Sequence, residues 1–181
     1  MRLIFLLAFT LLFGVSLGIC QTEQQHNPFT NKKIPSVEIK TLDGKTMNTG
    51  DISNDGKPII LSFWATWCKP CLNELSAISD VYDEWVEETG VKLIAVSIDD
   101  SKTSGNVKPT VDGKGWDFEC YLDVNSDFKR AMNVNLVPHT FILNGKNEIT
   151  WQHTSYSQGS EKELIEIVRK LISEDTPSPE K

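Results

Sequence analysis

The chain has 181 residues, 39% of them hydrophobic, and a formal net charge of -7. This length suits one domain with a leader and a tail, and the composition is that of a globular protein. No Lys/Arg cluster occurs, which excludes nucleic acid as a partner, because phosphate contacts need a basic face.

Arg2 precedes an uncharged apolar run from Leu3 to Ile19, which stops at Gln21-Thr22-Glu23. A positive start, an apolar stretch and a polar exit mark residues 1–20 as an export segment. Three readings stay open: a signal peptide cleaved near Gly18-Ile19-Cys20, a retained membrane anchor, or a lipid on Cys20. Each places the domain outside the cytoplasm, periplasmic or membrane-attached, where disulfides persist. Residues 21–35 are a polar spacer, 36–173 the folded domain and 174–181 a charged tail with Pro.

Within the domain, Val37 to Leu42 alternates apolar and polar before Asp43-Gly44, the mark of a hairpin. Ile59 to Trp64 is nearly continuous apolar, as in a strand buried on both faces. Leu75, Ile78, Tyr82, Trp85 and Val86 then fall at helical spacing, so one helix is expected to end near Gly90. Val91 to Ile98 reads as a second buried strand, parallel to the first. A short helix is expected around Val107 to Val111, a strand over Phe118 to Leu122, and a helix from Ser126 to Met132 with Ser126 as N-cap. Thr140 to Leu143, Asn144-Gly145 and Glu148 to Gln152 form a hairpin pattern. Leu164, Val168 and Leu171 mark a closing amphipathic helix.

The chemistry centres on Cys68-Lys69-Pro70-Cys71, placed where a buried strand meets a helix. Zinc needs four ligands, usually two pairs, and no second pair exists at that spacing. As a staple the pair closes too small a loop to restrict the unfolded chain much. A redox role uses every neighbour. The N–H groups and partial positive charge of a helix N-terminus favour a thiolate at Cys68, and Lys69 adds a cation. Pro70 fits the first turn without losing a needed donor. Cys71, further into the helix, is the less exposed thiol that resolves a mixed disulfide.

The stretch Phe63-Trp64-Ala65-Thr66-Trp67-Cys68-Lys69-Pro70-Cys71 resembles the active site of the thioredoxin superfamily, and Leu136-Val137-Pro138-His139-Thr140-Phe141-Ile142-Leu143 resembles its cis-proline strand. The resemblance covers about Val37 to Ile172. It implies an α/β thioredoxin fold: a central mixed sheet flanked by helices, here with an N-terminal hairpin and an insert over 99–122. Leader, hairpin and insert are similar to the TlpA-like branch of extracytoplasmic thiol–disulfide oxidoreductases, some of which serve cytochrome c maturation. By that resemblance the substrates are protein disulfides or dithiols, a membrane thiol transporter supplies electrons, and no cofactor or metal takes part. Val137 and a cis Pro138 then shape the docking groove with Trp67. Thioredoxin's buried aspartate is matched here by Ser62, and the branch places a glutamate where Glu74 stands. Glu74 is thus the expected proton acceptor, against the alternative of an ordinary exposed helix residue.

Two rival functions remain. A peroxidase of the same superfamily carries Thr or Ser three residues before the attacking cysteine, where this chain has Ala65, with Thr66 one residue too close. A thiol chaperone or copper carrier would use Cys68 and Cys71 without turnover. Other candidates read as structure: Trp64 and Cys120 as core, His139 as a semi-buried strand residue. His26 and His153 have no evident partner.

Overall fold

The computed structural model describes residues 32–175, so the expected export segment over 1–20, Cys20, His26 and residues 176–181 lie outside the described residues. Among the described residues no helix is long and apolar enough to cross a membrane.

Among the described residues seven strands form one mixed sheet, in which they lie in the order second, first, fifth, fourth, third, sixth and seventh along the chain. The N-terminal hairpin supplies β1 (Glu38–Thr41) and β2 (Thr46–Asn48). Its turn needs the left-handed backbone of Gly44, at φ 85°. At the centre lies β3 (Ile59–Trp64), every residue of it buried, as its unbroken apolar pattern requires. Strand β4 (Lys92–Ser97) runs parallel to it, and β5 (Glu119–Leu122) parallel to β4. On the other side β6 (His139–Leu143) and β7 (Ile149–Thr154) are antiparallel.

The helices are α1 (Lys69–Ser79), α2 (Tyr82–Thr89), α3 (Val107–Lys114), α4 (Asp127–Ala131) and α5 (Glu161–Asp175). Alternation along β3 feeds two cores. Ile60 and Trp64 join Cys71, Leu75, Trp85, Val107, Leu164 and Val168 on the face covered by α1, α2, α3 and α5. Ile59, Leu61 and Phe63 join Phe128 of α4, Phe141 and Ile149 on the other. The mixed sheet between helices is the architecture expected.

Two local expectations are corrected. The single helix toward Gly90 is two. The Asp80 N–H bonds the Ser76 carbonyl at 3.0 Å and closes α1. Val81, β-branched and at φ -124°, ψ 5°, has left helical geometry. The break re-aims the apolar stripe, so Trp85 is buried while Val86 is 40% exposed. Ser126 precedes α4 but does not cap it with its side chain. Its backbone is left-handed, not the extended form from which a cap reaches the first turn. The Asp123 carboxylate accepts from the Phe128 and Lys129 N–H groups instead, at 3.2 and 2.7 Å. The hairpin expected around Asn144-Gly145 forms, its turn lying between Leu143 and Ile149. Asn144 Oδ1 accepts from the N–H groups of Lys146 and Glu148, at 2.9 and 3.0 Å. Gly145 is required there, since a Cβ would meet the Gly56 carbonyl at 1.9 Å.

Candidate active site

Strand β3 ends at Trp64, and four residues later Cys68 occupies the N-cap of α1. Cys68 and Cys71 are joined by a disulfide, with Cα atoms 5.3 Å apart. The Cys71 N–H donates to Cys68 Sγ at 3.3 Å, so the sulfur takes the place of a capping oxygen. Pro70 lies in the first turn, where no donor is lost. Cys68 is 6% exposed and Cys71 fully buried. Trp67 beside them is 62% exposed.

The loop before Cys68 is anchored by a group not singled out from sequence. Asp99, buried just after β4, accepts from the Thr66 N–H at 2.8 Å, the Thr66 hydroxyl at 2.6 Å and the Ser97 hydroxyl at 2.8 Å. These bonds tie Thr66, the residue just before Trp67 and Cys68, to the end of the neighbouring strand.

The Val137–Pro138 peptide bond is cis. Phe63 pairs with His139, so Pro138 stands just past the end of the β3–β6 ladder, at the edge from which the cysteine loop departs. Val137 packs against the cluster that holds Cys68 and Cys71. Leu136 is 68% exposed and, with Trp67, leaves apolar surface on both segments that meet at this edge.

Glu74, one turn beyond Cys71 on α1, is fully buried, which removes the reading of an ordinary exposed helix residue. Three strands surround its carboxylate. Ser62 of β3 pairs with Thr140 of β6, and Thr140 with His153 of β7, so the three side chains form a polar row across one sheet face. The Ser62 hydroxyl lies 3.5 Å from Glu74 Oε2, and the Thr140 hydroxyl 3.3 and 3.4 Å from the two oxygens. His153 Nε2 is 3.0 Å from Glu74 Oε1. His153, for which sequence offered no partner, therefore has one. Its ring stands edge-on to Trp151, with centroids 4.8 Å apart.

His139 points to the opposite face. It stacks on Phe141, and its Nε2 meets Gln152 Oε1 at 3.0 Å. Burial holds this imidazole below its usual value, so it is neutral at pH 7. Cys120 is a free buried thiol, pushed up to about 12 by burial. Trp64 is fully buried, edge-on to Trp116. Among the described residues no three His, Cys, Asp or Glu side chains converge to hold a metal ion.

Residues 30–152 match the AhpC/TSA family. Sporulation thiol-disulfide oxidoreductase A of Bacillus subtilis (strain 168) is 30% identical over 134 residues, covering 73% of this chain and 76% of that one. Thiol-disulfide oxidoreductase ResA of Bacillus anthracis is 29% identical over 121 residues, 67% of each chain. Among solved structures, a thioredoxin-like protein from Porphyromonas gingivalis is 52% identical and superposes with a TM-score of 0.72 over 82% of this chain and 97% of its own. A putative thiol:disulfide interchange protein DsbE from Chlorobium tepidum shares 19% identity over 79% of this chain and 97% of its own, and its TM-score of 0.68 speaks for the fold alone. A disulfide-forming cysteine pair at a helix start, in a sheet that superposes on thioredoxin-like structures, meets these relatives at one conclusion: the chain belongs to the AhpC/TSA family and is a thioredoxin-like thiol–disulfide oxidoreductase.

Proposed function

We propose that the protein reduces disulfides of exported proteins, those of cytochrome c maturation among them, and that a membrane thiol transporter returns it to the dithiol form. The observation that carries this reading is Cys68 at the N-cap of α1, its sulfur accepting the Cys71 N–H. The donor and the helix dipole that meet the sulfur here would also stabilise a Cys68 thiolate in the reduced form.

Electrons and protons balance over two steps. The Cys68 thiolate attacks one substrate sulfur; the substrate disulfide breaks, and its other sulfur leaves with the electron pair and takes a proton from water. Glu74 then accepts the Cys71 proton, directly or through one water. The Cys71 thiolate attacks Cys68, the Cys68–substrate bond breaks, and the second substrate sulfur leaves and is protonated. The substrate gains two electrons, and the enzyme becomes the disulfide. Trp67 and Leu136 supply apolar contact on either side, while Val137 and Pro138 border the groove.

Peroxide reduction is less well supported. Three residues before Cys68 stands Ala65, fully buried and without a hydroxyl. The nearest hydroxyl, on Thr66, is already committed to Asp99 at 2.6 Å.

Trapping on the reduced Cys71→Ser variant tests the reading. Its Cys68 should capture extracytoplasmic proteins as stable mixed disulfides, while hydrogen peroxide consumption by the wild type stays at background. Rapid peroxide consumption without trapped proteins would transfer the chain to peroxidase chemistry.

A further inference from the structure

We propose that His153 is the outlet through which Glu74 exchanges its proton with solvent during turnover. This rests on the reading of Glu74 as the proton acceptor for Cys71 and adds the path by which that proton leaves.

During resolution Glu74 must pass the Cys71 proton on, because a buried carboxylic acid otherwise returns it to the thiolate before Cys71 attacks. Water does not reach Glu74 directly, because its side chain is only 1% exposed. Ser62 and Thr140, which share its carboxylate, are fully buried. The third partner, His153, keeps 16% of its side chain in solvent while its Nε2 sits 3.0 Å from Glu74 Oε1. Of these partners it alone spans from the buried carboxylate to water. Imidazole suits the task, since it takes a proton at one nitrogen and releases another from the second without turning over.

The placement depends on a register shift. The ladder between β6 and β7 shifts between Ile142 and Leu143, where Leu143 pairs with Ile149 but Ile142 with Trp151. Extended without that shift, the ladder would set Gln152 opposite Thr140 and place His153 on the far face with His139. The extra residue turns His153 toward Glu74.

In proton terms, Cys71–SH gives its proton to Glu74, whose new O–H faces Nε2. The imidazole accepts it there and returns a proton to solvent from Nδ1, leaving the carboxylate ready. No electron moves in this path. Other titratable groups near the pair are Cys71 on α1 and Tyr156 beyond β7. The Tyr156 phenol is pushed up by burial first, then by its bond to Glu161, with the Glu74 charge a smaller contribution. His139 on β6 faces away, bonded to Gln152.

Two-phase thiolate release tests the outlet. The reduced protein is mixed with a dithiobis(nitrobenzoate) probe; the first release reports attack by Cys68 and the second reports resolution by Cys71. Four variants are compared with the wild type: Glu74→Gln, His153→Gln, His153→Ala and the Glu74→Gln/His153→Ala double. His153→Gln keeps a donor toward Glu74 but cannot relay. It should leave the first release unchanged and slow the second by about a hundredfold, the lower end for a positioned proton-transfer group. His153→Ala should slow likewise and recover with added imidazole. The double variant should be no slower than Glu74→Gln and should not recover, because both side chains serve one path. A wild-type second release in His153→Gln beside a slow one in Glu74→Gln would overturn the outlet and leave Glu74 as the base. A wild-type second release in Glu74→Gln would remove the base itself, and the outlet with it.

Discussion

Asp99 and Glu74 are both fully buried carboxylates in the structure around the cysteine pair, yet they are satisfied in opposite ways. Asp99 meets the Thr66 N–H and hydroxyl and the Ser97 hydroxyl at 2.6 to 2.8 Å. One of these donors is a backbone amide, which can only donate, so the site demands an acceptor. Glu74 meets two hydroxyls at 3.3 to 3.5 Å and an imidazole at 3.0 Å. Each of those partners both donates and accepts, so the network reorganises around a carboxylate or a carboxylic acid without stranding a buried polar group. Burial alone does not distinguish a structural acid from one that moves protons. The donor set separates the two sites, and the proton transfer proposed for Glu74 rests on that difference.

The comparison breaks most visibly at Asp99. In Asp99→Ala the acceptor is gone, and the Thr66 N–H and the Thr66 and Ser97 hydroxyls lose their bonds to it. The expected cost is about 3 kcal/mol, the upper range for leaving buried donors unpaired. Urea unfolding measures it, and a loss below about 1 kcal/mol would show that the anchoring is weak.

Glu74→Gln should do the reverse. The amide can still bond to Ser62, Thr140 and His153, so stability should move by less than about 1 kcal/mol. The resolving step, however, should slow by about a hundredfold and change its pH profile, while alkylation of Cys68 keeps its rate. An unchanged pH–rate profile would leave water as the acceptor. Thr140→Val is subtler. The Thr140 hydroxyl bonds Ser62 at 3.1 Å as well as approaching Glu74. Removing it should cost about 1 kcal/mol and slow resolution less than Glu74→Gln does. A larger kinetic loss than in Glu74→Gln would put Thr140, not Glu74, at the head of the path.

Much of the fold was legible in the sequence because it rests on local signals: the apolar run of β3, the Asp43-Gly44 turn, the stripe of α5. The Cys68–Cys71 pair was legible from its strand-to-helix setting, and Glu74 from resemblance with its spacing along α1. The partners of Glu74 were not. Ser62, Thr140 and His153 come from three strands, and only ladder register brings them together. That register hangs on the shift between Ile142 and Leu143, which the Asn144-Gly145 signal does not reveal. Asp99 was missed for a similar reason: its partner Thr66 belongs to the loop after the neighbouring strand. The break of the expected long helix at Val81 shows the converse, a continuous apolar period in which the backbone nevertheless leaves helical geometry.

The smallest effect belongs to Cys120, the thiol outside the exchange site. Burial pushes it from 9.0 up to about 12, so at neutral pH it stays protonated and inert to alkylating agents. Cys120→Ala should leave both thiolate releases intact and cost about 1 kcal/mol from a small core void. Its distinctive signature lies at high pH. Above 9.0 the unfolded thiol ionises while the folded one holds its proton until about 12. The unfolded state then binds fewer protons, so Cys120 withdraws stability from the wild type as pH rises through this window. Lys and Tyr residues titrate there too, but they are common to both proteins and cancel in the difference. The cost of Cys120→Ala should thus be constant below pH 9.0 and shrink by up to about 1.4 kcal/mol per pH unit above it, until the variant is the more stable protein. Urea unfolding of both proteins with the Cys68–Cys71 disulfide intact measures this. A difference that stays flat through the window would mean that the Cys120 thiol ionises as readily folded as unfolded.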